Sequence, residues 1–424
     1  MPGSPPVRPF ERAVILAVGS ELLGPQRLDT NSLAMTAALN ERGIDVLWKA
    51  VGADEPESLA RLLARALADA DLVLMCGGLG PTDDDLTRDV VARVLHRSLR
   101  EDRAIIEAIA QRFAARGWEM PANNRRQAQV PAGAVVLPNA RGTAPGLWLE
   151  HGEQGVLLLP GPPREMVPLL AQAMTAFVEP RAGGRRMVRR VLRMTGRGES
   201  LIDEVLQPLY RAWAAAALPV RATILAAMGQ IELHLSAVDV DAGRAEAAVD
   251  AALAEARAAI GRDVFSTGES LEAVVGELLA SREWRVAVAE SCTGGLVAER
   301  LTAVPGASRY FEQGVVTYSN AAKTQWLGVE PALLAEHGAV SDPVARAMAA
   351  GVRARAGSEV GLAVTGIAGP DGGTSAKPVG TVVIAVALPE GMSSRTLQLT
   401  GDREQVRFQS SQAVLDLLRR TLGG

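Results

Sequence analysis

The fold of the last third of this chain is decided by AESCTGG (residues 289–295), which follows the apolar run WRVAV (residues 284–288). An apolar run that breaks into small hydroxyl residues and two glycines is typical of a strand that ends over a ligand and leads into a helix. The pattern places Ser291, Cys292 and Thr293 at the carboxyl end of a strand, where α/β sheets hold their chemistry. A serine before a Gly-Gly turn is also a common helix cap, so this stretch alone indicates either a nucleophile or a cap.

Composition sets the class of protein. With 424 residues, 48% of them hydrophobic, and a net charge of −4, the chain is long enough for several domains and has no overall basic character that would indicate a nucleic-acid partner. No apolar run is long enough to span a bilayer and no signal-peptide pattern is present, so we expect a soluble cytoplasmic protein without membrane partners. Cys76 and Cys292 lie far apart in apolar contexts, which predicts free thiols. The two cysteines and four histidines have no metal-ligand spacing, so we expect any metal to be held by carboxylates and substrate oxygens.

The first half of the chain alternates predicted strands and helices. We expect strands at residues 13–18, 45–51 and 71–75 and helices at residues 31–42 and 56–68. This alternation predicts an α/β domain with a parallel sheet and helices on its faces.

The third of these strands leads into CGGLGPTDDDLT (residues 76–87). In this stretch, Gly77, Gly78 and Gly80 can offer backbone amides to a phosphate, and Thr82 can offer its hydroxyl. The aspartates at 83–85 would hold a Mg²⁺-like cation that bridges phosphate oxygens, or would position a water for attack. The alternative is a helix cap with an acidic first turn, which explains three adjacent and mutually repelling carboxylates less well.

Two further groups of polar residues belong to the last third. In VTYSNAAK (residues 316–323), after an expected short strand at 315–317, Tyr318 and Lys323 are five residues apart. A lysine beside a tyrosine or serine hydroxyl lowers the pKa of that hydroxyl or accepts its proton; the alternative is a turn with a surface lysine. Ser308 stands at a predicted helix start.

A glycine-rich loop and a pair of arginines complete the candidate residues. The loop TGIAGPDGGTSAKPVG (residues 365–380) follows a predicted strand and is suited to wrap a substrate, with Thr365, Gly366 and Asp371 as contacts. Arg403 and Arg407, one turn apart on the last predicted helix, would either bind a phosphate or cover the edge of the sheet.

Many of these segments occur together in one known family. GSELL with TN downstream, GGLGPTDDDLT, NNRRQA, GTAPG and PGPPREM resemble the first domain of the CinA family, the competence/damage-inducible proteins. AESCTGG, PGAS, VTYSNAAK, GAVS, TGIAGPDGGT, KPVG and GDREQVR resemble the last domain of the same family. Pro25 departs from the pattern, because the family usually has glycine there.

The resemblance implies three domains. Residues 11–180 would form a molybdopterin-binding-like three-layer α/β domain, residues 181–262 a small KH-type α+β domain, and residues 263–424 an α/β deamidase domain. The middle segment has no GXXG loop where a KH module would hold RNA, since Gly196-Arg197-Gly198-Glu199 lacks the second glycine in place. We therefore interpret its arginine-rich run, residues 185–193, as a solvated sheet face or an inter-domain contact rather than an RNA site.

For the last domain, the resemblance implies hydrolysis of the carboxamide of nicotinamide mononucleotide (NMN) to nicotinate mononucleotide and ammonia, without a cofactor. Either Ser291 or Ser308 would be the nucleophile, with Lys323 and Tyr318 as base and relay. The amides of Gly294 and Gly295 would stabilise the oxyanion, and Thr293 is a further substrate contact.

For the first domain, the resemblance implies metal-dependent hydrolysis of ADP-ribose to AMP and ribose 5-phosphate. Asp84, Asp85 and Glu21 would hold Mg²⁺ or a similar transition metal, Asn31 would contact the substrate, and Asp85 matches a functional aspartate of molybdopterin-binding relatives. The alternative is a non-catalytic protein that binds a nucleotide or a molybdopterin-like ligand as an accessory in competence or DNA repair. The resemblance also implies a homodimer.

Overall fold

The computed structural model describes residues 8–25, 27–227 and 229–423. Contacts within the chain define two compact units, one containing residues up to Val188 together with Ala237–Ala247, the other containing Arg189–Ser236 and the chain from Ala248 onward. No helix in the described part of the chain is both long enough and apolar enough to cross a membrane.

The described strands that lie wholly within the first unit are β1 Arg12–Val18, β2 Asp45–Gly52, β3 Leu72–Cys76, β4 Leu99–Glu101, β5 Gln129–Pro131, β6 Val135–Leu137, β7 Gly146–His151 and β8 Gln154–Leu159. Six of them form one sheet in the order β2-β1-β3-β8-β7-β6, and β4 pairs with β5 separately. The strands β2, β1, β3 and β8 are parallel, whereas β6 and β7 are antiparallel to their neighbours. The turn from His151 to Gln154 is too short for a crossover, so β7 and β8 can pair only as a hairpin.

The helices of this unit are α1 Asn31–Asn40, α2 Pro56–Asp69, α3 Thr87–Val94, α4 Arg103–Ala114 and α5 Pro163–Ala173, with shorter turns at Ser20–Leu23, Ala122–Ala128, Met174–Val178 and Glu179–Arg181. Alternate side chains of β1 enter two different cores, Val14 and Leu16 on one face and Ala13 and Ile15 on the other. The sheet is therefore covered on both faces, and the predicted α/β class is confirmed.

The middle of the chain forms a four-stranded sheet. Its elements are β9 Arg186–Met194, α6 Glu199–Ala214, β10 Arg221–Ala227, β11 Gln230–Asp239, α7 Ala242–Ile260 and β12 Val264–Ser266. The strand order is β10-β11-β9-β12. Arginines of this segment have acidic partners, with Arg190 at 3.0 Å from Asp250 and Arg193 at 3.1 Å from Glu232. These ion pairs agree with a role in packing, while the KH-type assignment remains a prediction.

The last part of the chain forms a five-stranded sheet. Its elements are α8 Leu271–Ala280, β13 Val286–Glu290, α9 Leu296–Thr302, β14 Phe311–Val316, α10 Asn320–Leu327, α11 Pro331–His337, α12 Asp342–Ala356, β15 Val360–Gly366, β16 Thr381–Leu388, β17 Gly391–Gln398 and α13 Arg403–Thr421. The order is β14-β13-β15-β16-β17, and the first three strands are parallel.

The central strand β13 shows why this sheet forms. Val286 and Val288 enter the core on one face, and Ala287 and Ala289 enter the core on the other face. All five residues of β13 are buried, as expected for a parallel strand with helices on both sides. The chain therefore leaves the sheet at Ser291, directly above the carboxyl ends of β13, β14 and β15.

Candidate functional site

The candidate active site of the second unit is a buried pair, Ser291 and Lys323. The amide of Ser291 donates to the carbonyl oxygen of Val364 on β15, which fixes the turn after β13. Lys323 lies on α10, whose first turn is capped by Ser319. The Nζ atom of Lys323 is 3.0 Å from Ser291 Oγ, and these residues are only 1% and 8% exposed. The structure thus brings together two of the predicted catalytic residues.

Hydrogen-bond acceptors surround Lys323, and no carboxylate of the described residues lies within ion-pair distance of it. Its Nζ atom donates to the carbonyl oxygen of Thr317 at 2.8 Å and lies 3.4 Å from that of Tyr318. Burial lowers the pKa of Lys323, because charge is disfavoured away from water. A neutral amine has two hydrogens for these carbonyls and one lone pair for the hydroxyl proton of Ser291. The surroundings of Lys323 therefore suit a general base.

Ser308, the alternative nucleophile, lies near the amino ends of the strands, whereas Ser291 lies at their carboxyl ends. Ser308 belongs to a short turn, Ala307–Arg309, that precedes β14, and it is exposed. Because β14 runs parallel to β13, Ser308 is at the amino ends of the strands, about 15 Å from Ser291 along the strand direction. Ser308 therefore does not share a site with Lys323.

Cys292 is adjacent to the pair but is poorly suited to attack. It is 4% exposed, and burial raises the pKa of its thiol to about 12. The thiolate is the nucleophilic form of cysteine, so a thiol with this pKa is inert near neutral pH. Ser291 is the better nucleophile of the two.

The turn after Ser291 corrects the expectation for Gly294 and Gly295. Both have positive φ, 61° and 99°, which explains why glycine stands there. Their amides are engaged within the protein, since Gly294 donates to the carbonyl oxygen of Ser291 and Gly295 donates to the Glu290 carboxylate. They are therefore not available as oxyanion donors in this arrangement.

Glu290 has a structural role that the sequence pattern does not indicate. Its carboxylate accepts the amides of Gly295, Val297 and Ala298, at 2.9 to 3.1 Å, and it is 1% exposed. The amino end of α9 thus faces a carboxylate of its own chain instead of a substrate. Within the described turn, the amides of Cys292 and Thr293 donate to no carbonyl or carboxylate oxygen.

Arg403, Arg407 and Tyr318 are linked to this site. Arg403 donates to the Tyr318 hydroxyl at 3.0 Å and to the carbonyl oxygen of Gly369 at 2.8 Å. Arg407 donates to the carbonyl oxygen of Thr293 at 2.7 Å. No carboxylate in the described part of the chain lies within ion-pair distance of either arginine. Tyr318 is 60% exposed. Its carbonyl oxygen faces Lys323 Nζ, whereas its hydroxyl accepts a hydrogen bond from Arg403.

The other predicted contacts of this site have different positions. Thr365 is buried and its hydroxyl donates to the carbonyl oxygen of Ala339 at 2.9 Å. Gly366 packs against the turn, because a Cβ atom there would lie 3.1 Å from Cys292 Sγ. Asp371 is exposed in the loop between β15 and β16. The hydroxyl of Thr293 is buried and has no hydrogen-bond partner among the described residues.

The first unit has a cleft of about 320 Å³ at the carboxyl ends of β1, β3 and β8. Five acidic side chains line it, together with the glycine turn: Glu21, Asp54, Asp84, Asp85 and Glu165. A neighbouring cleft of about 470 Å³ contains Asn31 and Cys76 and shares Glu21 with the first. Asn31 Nδ2 donates to the carbonyl oxygen of Gly161 at 2.7 Å, so this residue joins the start of α1 to the loop after β8.

Asp85 shapes the glycine turn. One of its oxygens accepts the Gly80 amide at 2.7 Å, and the other accepts the amide and the hydroxyl of Thr82 at 2.9 and 2.5 Å. These contacts correct the expectation that Gly80 and Thr82 present free donors to a phosphate. The Gly77 amide is also engaged, with the carbonyl oxygen of Leu159.

Gly78 and Gly77 are glycines for steric reasons. Both have positive φ, and a Cβ atom at Gly77 would lie 2.1 Å from the carbonyl oxygen of Val18. Buried Arg88, which the sequence analysis missed, holds the same turn by donating to the carbonyl oxygens of Leu79 and Gly80 at 2.6 and 2.8 Å. Among the described backbone contacts, the Gly78 amide has no acceptor.

The donor set of this cleft is compatible with a magnesium ion shared with a substrate. Within the described ranges, no group of three or more His, Cys, Asp and Glu side chains is close enough together to hold a metal ion. Mg²⁺ is commonly bound by one or two carboxylates plus substrate phosphates and water. Asp84 is exposed on the cleft, whereas Asp83 pairs with Arg126 at 2.5 Å. Asp84 and Glu21 thus fit such an ion better than Asp83 does, and better than the predicted ligand Asp85, whose two oxygens already accept hydrogen bonds from Gly80 and Thr82.

Fold and sites together define a two-unit α/β protein with a buried serine–lysine pair in one unit and an acidic, glycine-rich cleft in the other. Residues 14–180 match the family model described as a probable molybdopterin binding domain, and residues 268–422 match the CinA C-terminal domain. Over 97% of its length, the chain is 45% identical to a CinA-like protein of Koribacter versatilis and 45% identical to a putative competence-damage inducible protein of Symbiobacterium thermophilum, and it covers 99% of each. The chain belongs to the CinA family.

A solved structure gives a further comparison. The CinA superfamily protein KP700603 from Klebsiella pneumoniae is 36% identical over 36% of this chain and 96% of that one, with a TM-score of 0.35.

Proposed function

We propose that the second unit is an amidohydrolase that converts NMN to nicotinate mononucleotide and ammonia. The observation that carries this proposal is the 3.0 Å contact between Lys323 Nζ and Ser291 Oγ in a buried site. Amide hydrolysis that uses no metal needs an activated nucleophile, a base and an oxyanion site.

In the proposed reaction, Ser291 Oγ attacks the carboxamide carbon while neutral Lys323 takes the hydroxyl proton. The tetrahedral intermediate collapses as Lys323 returns that proton to the leaving nitrogen, which departs as ammonia and leaves an ester on Ser291. Water then attacks the ester while Lys323 accepts its proton, and Lys323 passes that proton to Ser291 Oγ as the ester bond breaks, which releases the carboxylate product and restores Ser291.

Two other features support the proposal. The amides of Cys292 and Thr293 are the donors of the turn that remain for an oxyanion, since a donor directly after the nucleophile is well placed for it. Among the described residues, the partners of Arg403 and Arg407 are neutral oxygens, so a phosphate would give these charges a counterion.

The test is ammonia release from NMN in the presence of EDTA. Wild type should release ammonia, and Ser291→Ala and Lys323→Ala should lower kcat by at least about a thousandfold. Ser308→Ala is the matched control, because this serine is exposed at the opposite edge of the sheet, and it should keep full activity. Equal loss in Ser308→Ala, or no release by wild type, would contradict the proposal.

We also propose that the first unit hydrolyses ADP-ribose to AMP and ribose 5-phosphate. A specific observation favours this second activity, namely the convergence of carboxylates and the glycine turn on one cleft at the ends of β1, β3 and β8. A divalent ion held by Asp84 and Glu21 would supply positive charge to the pyrophosphate when bound. Asp85 and Arg88 keep the turn in shape, and Gly78 offers an amide to a phosphate.

The test is AMP formation from ADP-ribose with Mg²⁺. Asp84→Asn should abolish it, while Asp83→Asn, a change at the neighbouring exposed carboxylate that pairs with Arg126, should not. Tight binding of ADP-ribose without product would favour the alternative of a ligand-binding accessory protein. The domain boundaries, the homodimer implied by the resemblance and the cytoplasmic location expected from the composition remain predictions.

A further inference from the structure

The second unit has a cavity of about 560 Å³ that is lined by residues of both of its sheets, called here the inter-sheet cavity. One part of its wall is the turn at residues 195–199, between β9 and α6, together with Ile231 of β11, and the rest comes from β16, β17 and α13. Small-molecule sites in proteins have volumes of roughly 300 to 1,000 Å³, so this cavity has the size of one. Among the described residues that line it, none has a role in the reactions proposed above.

Arg395 of β17 brings an unpaired positive charge to the inter-sheet cavity. It is paired directly with Ile384 of β16, and directly paired residues of antiparallel strands point to the same face of a sheet. Ile384 belongs to the core that contains Val414 and Leu418 of α13, so Arg395 lies on the face that α13 covers. No carboxylate of the described residues lies within ion-pair distance of Arg395, and its guanidinium donates no hydrogen bond to them. All of its donors are therefore available to an anion.

Gln412 of α13 adds a buried donor that lacks an acceptor. This residue lines the inter-sheet cavity and is 1% exposed. Its Oε1 atom accepts a hydrogen bond from Arg300 at 2.7 Å, and because arginine only donates, this contact fixes which end of the amide is oxygen. The other end, Nε2, has no hydrogen-bond partner among the described residues. A buried donor without an acceptor costs free energy, and an oxygen of a ligand would remove that cost.

The two carboxylates that line the inter-sheet cavity are in different states. Asp416 is neutralised by Arg419 and Arg420, which donate to its two oxygens at 2.6 to 3.0 Å. Glu199, in the first turn of α6, is exposed, and its carboxylate has no hydrogen-bond or ion-pair partner among the described residues. A carboxylate in this state is an acceptor for hydroxyl groups of a ligand, such as those of a ribose.

We propose that the inter-sheet cavity binds a ribonucleoside monophosphate. Arg395 and the Gln412 amide hold its phosphate, and Glu199 accepts hydrogen bonds from its ribose hydroxyls. The base packs on the apolar side chains of Ile231 and Leu397. This site shares no residue with either proposed reaction, so it stands or falls independently of them.

The test is equilibrium binding of AMP, GMP, CMP and UMP to the full chain, with inorganic phosphate as an incomplete ligand. We expect at least one nucleotide to bind, and Arg395→Ala should raise its Kd by about tenfold or more, because the hydrogen bonds between guanidinium and phosphate are lost. Arg395 is exposed on its strand, so folding should tolerate this change. Arg346→Ala is the matched control and should keep the wild-type Kd, because Arg346 contacts Ser394 on the opposite face of β17. Glu199→Ala should weaken nucleotide binding and leave phosphate binding unchanged.

Hydrogen exchange locates the bound nucleotide. In wild type, the nucleotide should slow exchange in β17 and in the first turn of α6, and this protection should be absent from Arg395→Ala. A nucleotide whose Kd is the same in wild type and Arg395→Ala lies in another site, such as the acidic cleft, and would overturn the proposal. Failure of all four nucleotides to bind at millimolar concentration would overturn it as well. Equal affinity for inorganic phosphate and for the best nucleotide would reduce the cavity to an anion site and contradict the ribose and base contacts.

Discussion

Lys323 shows how a single buried residue defines the chemistry of its site. Three oxygens surround its Nζ atom, two from carbonyl groups and one from Ser291. The carbonyl groups hold the amine in place, because they accept its hydrogens whether it is charged or neutral. Burial favours the neutral form, and only that form accepts the proton of Ser291.

The activity on NMN should therefore rise with pH. The folded-state pKa of Lys323 is lowered by burial from the ordinary value of 10.5, so the base becomes available below the pH at which a surface lysine deprotonates. Between the lowered and the ordinary pKa the unfolded chain binds more protons, so stability should also rise with pH over that window. The measurement is kcat/KM for NMN against pH, with urea midpoints as a second readout. A flat profile, or a rise centred at the pKa of a surface lysine, would contradict the role of Lys323.

Arg403 should recognise the phosphate of the substrate. We expect Arg403→Ala to raise KM for NMN by about tenfold to a hundredfold, since hydrogen bonds to charged groups contribute about 1.5 to 3 kcal/mol. The same variant should leave KM for nicotinamide riboside, which has no phosphate, nearly unchanged. Arg309→Ala removes an exposed arginine at the opposite edge of the sheet and is the control. If Arg403→Ala raises KM equally for both substrates, then Arg403 stabilises the site through Tyr318 and Gly369 and does not bind the phosphate.

At the scale of elements, the sequence predicts where strands end better than it predicts the hydrogen-bond partners of the backbone groups in the turns. The apolar pattern of β13 predicts the position of Ser291, because carboxyl ends of neighbouring parallel strands meet at one edge. The position of Ser308 differs from the prediction because the strand expected at 315–317 begins at Phe311, so this serine lies before the amino end of β14. Glu290 was missed because its partners are backbone amides, which leave no side-chain signal in the sequence.

The junction of β13 and α9 should depend on Glu290. Glu290→Ala leaves three amides at the start of α9 without their acceptor, which should cost about 3 kcal/mol or more in the free energy of unfolding. Glu299→Ala removes an exposed carboxylate from the same helix and should change stability by about 0.5 kcal/mol or less. Urea unfolding and hydrogen exchange of Leu296–Thr302 are the measurements. Unchanged exchange in Glu290→Ala would show that α9 does not need this cap.

At the scale of the whole molecule, the two units place their candidate sites at the same position of a sheet but use different residues there. Each unit has a mixed sheet with parallel strands at its centre, a core on both faces of that sheet, and candidate functional residues beyond the carboxyl ends of the parallel strands. In the first unit those ends carry carboxylates and a glycine turn, which suit phosphates and a cation. In the second unit they carry a serine and a lysine, which suit acyl transfer.

Because each site is built from residues of its own unit, the two proposed activities should be separable. EDTA should abolish AMP formation from ADP-ribose and leave ammonia release from NMN unchanged, since only the acidic cleft calls for a divalent ion. Ser291→Ala should have the opposite effect, and Asp84→Asn should act like EDTA. Both products are measured in parallel on each full-length variant. Loss of both activities in a folded Ser291→Ala or Asp84→Asn protein would show that one site depends on the other, and the proposal of two independent centres would then fail.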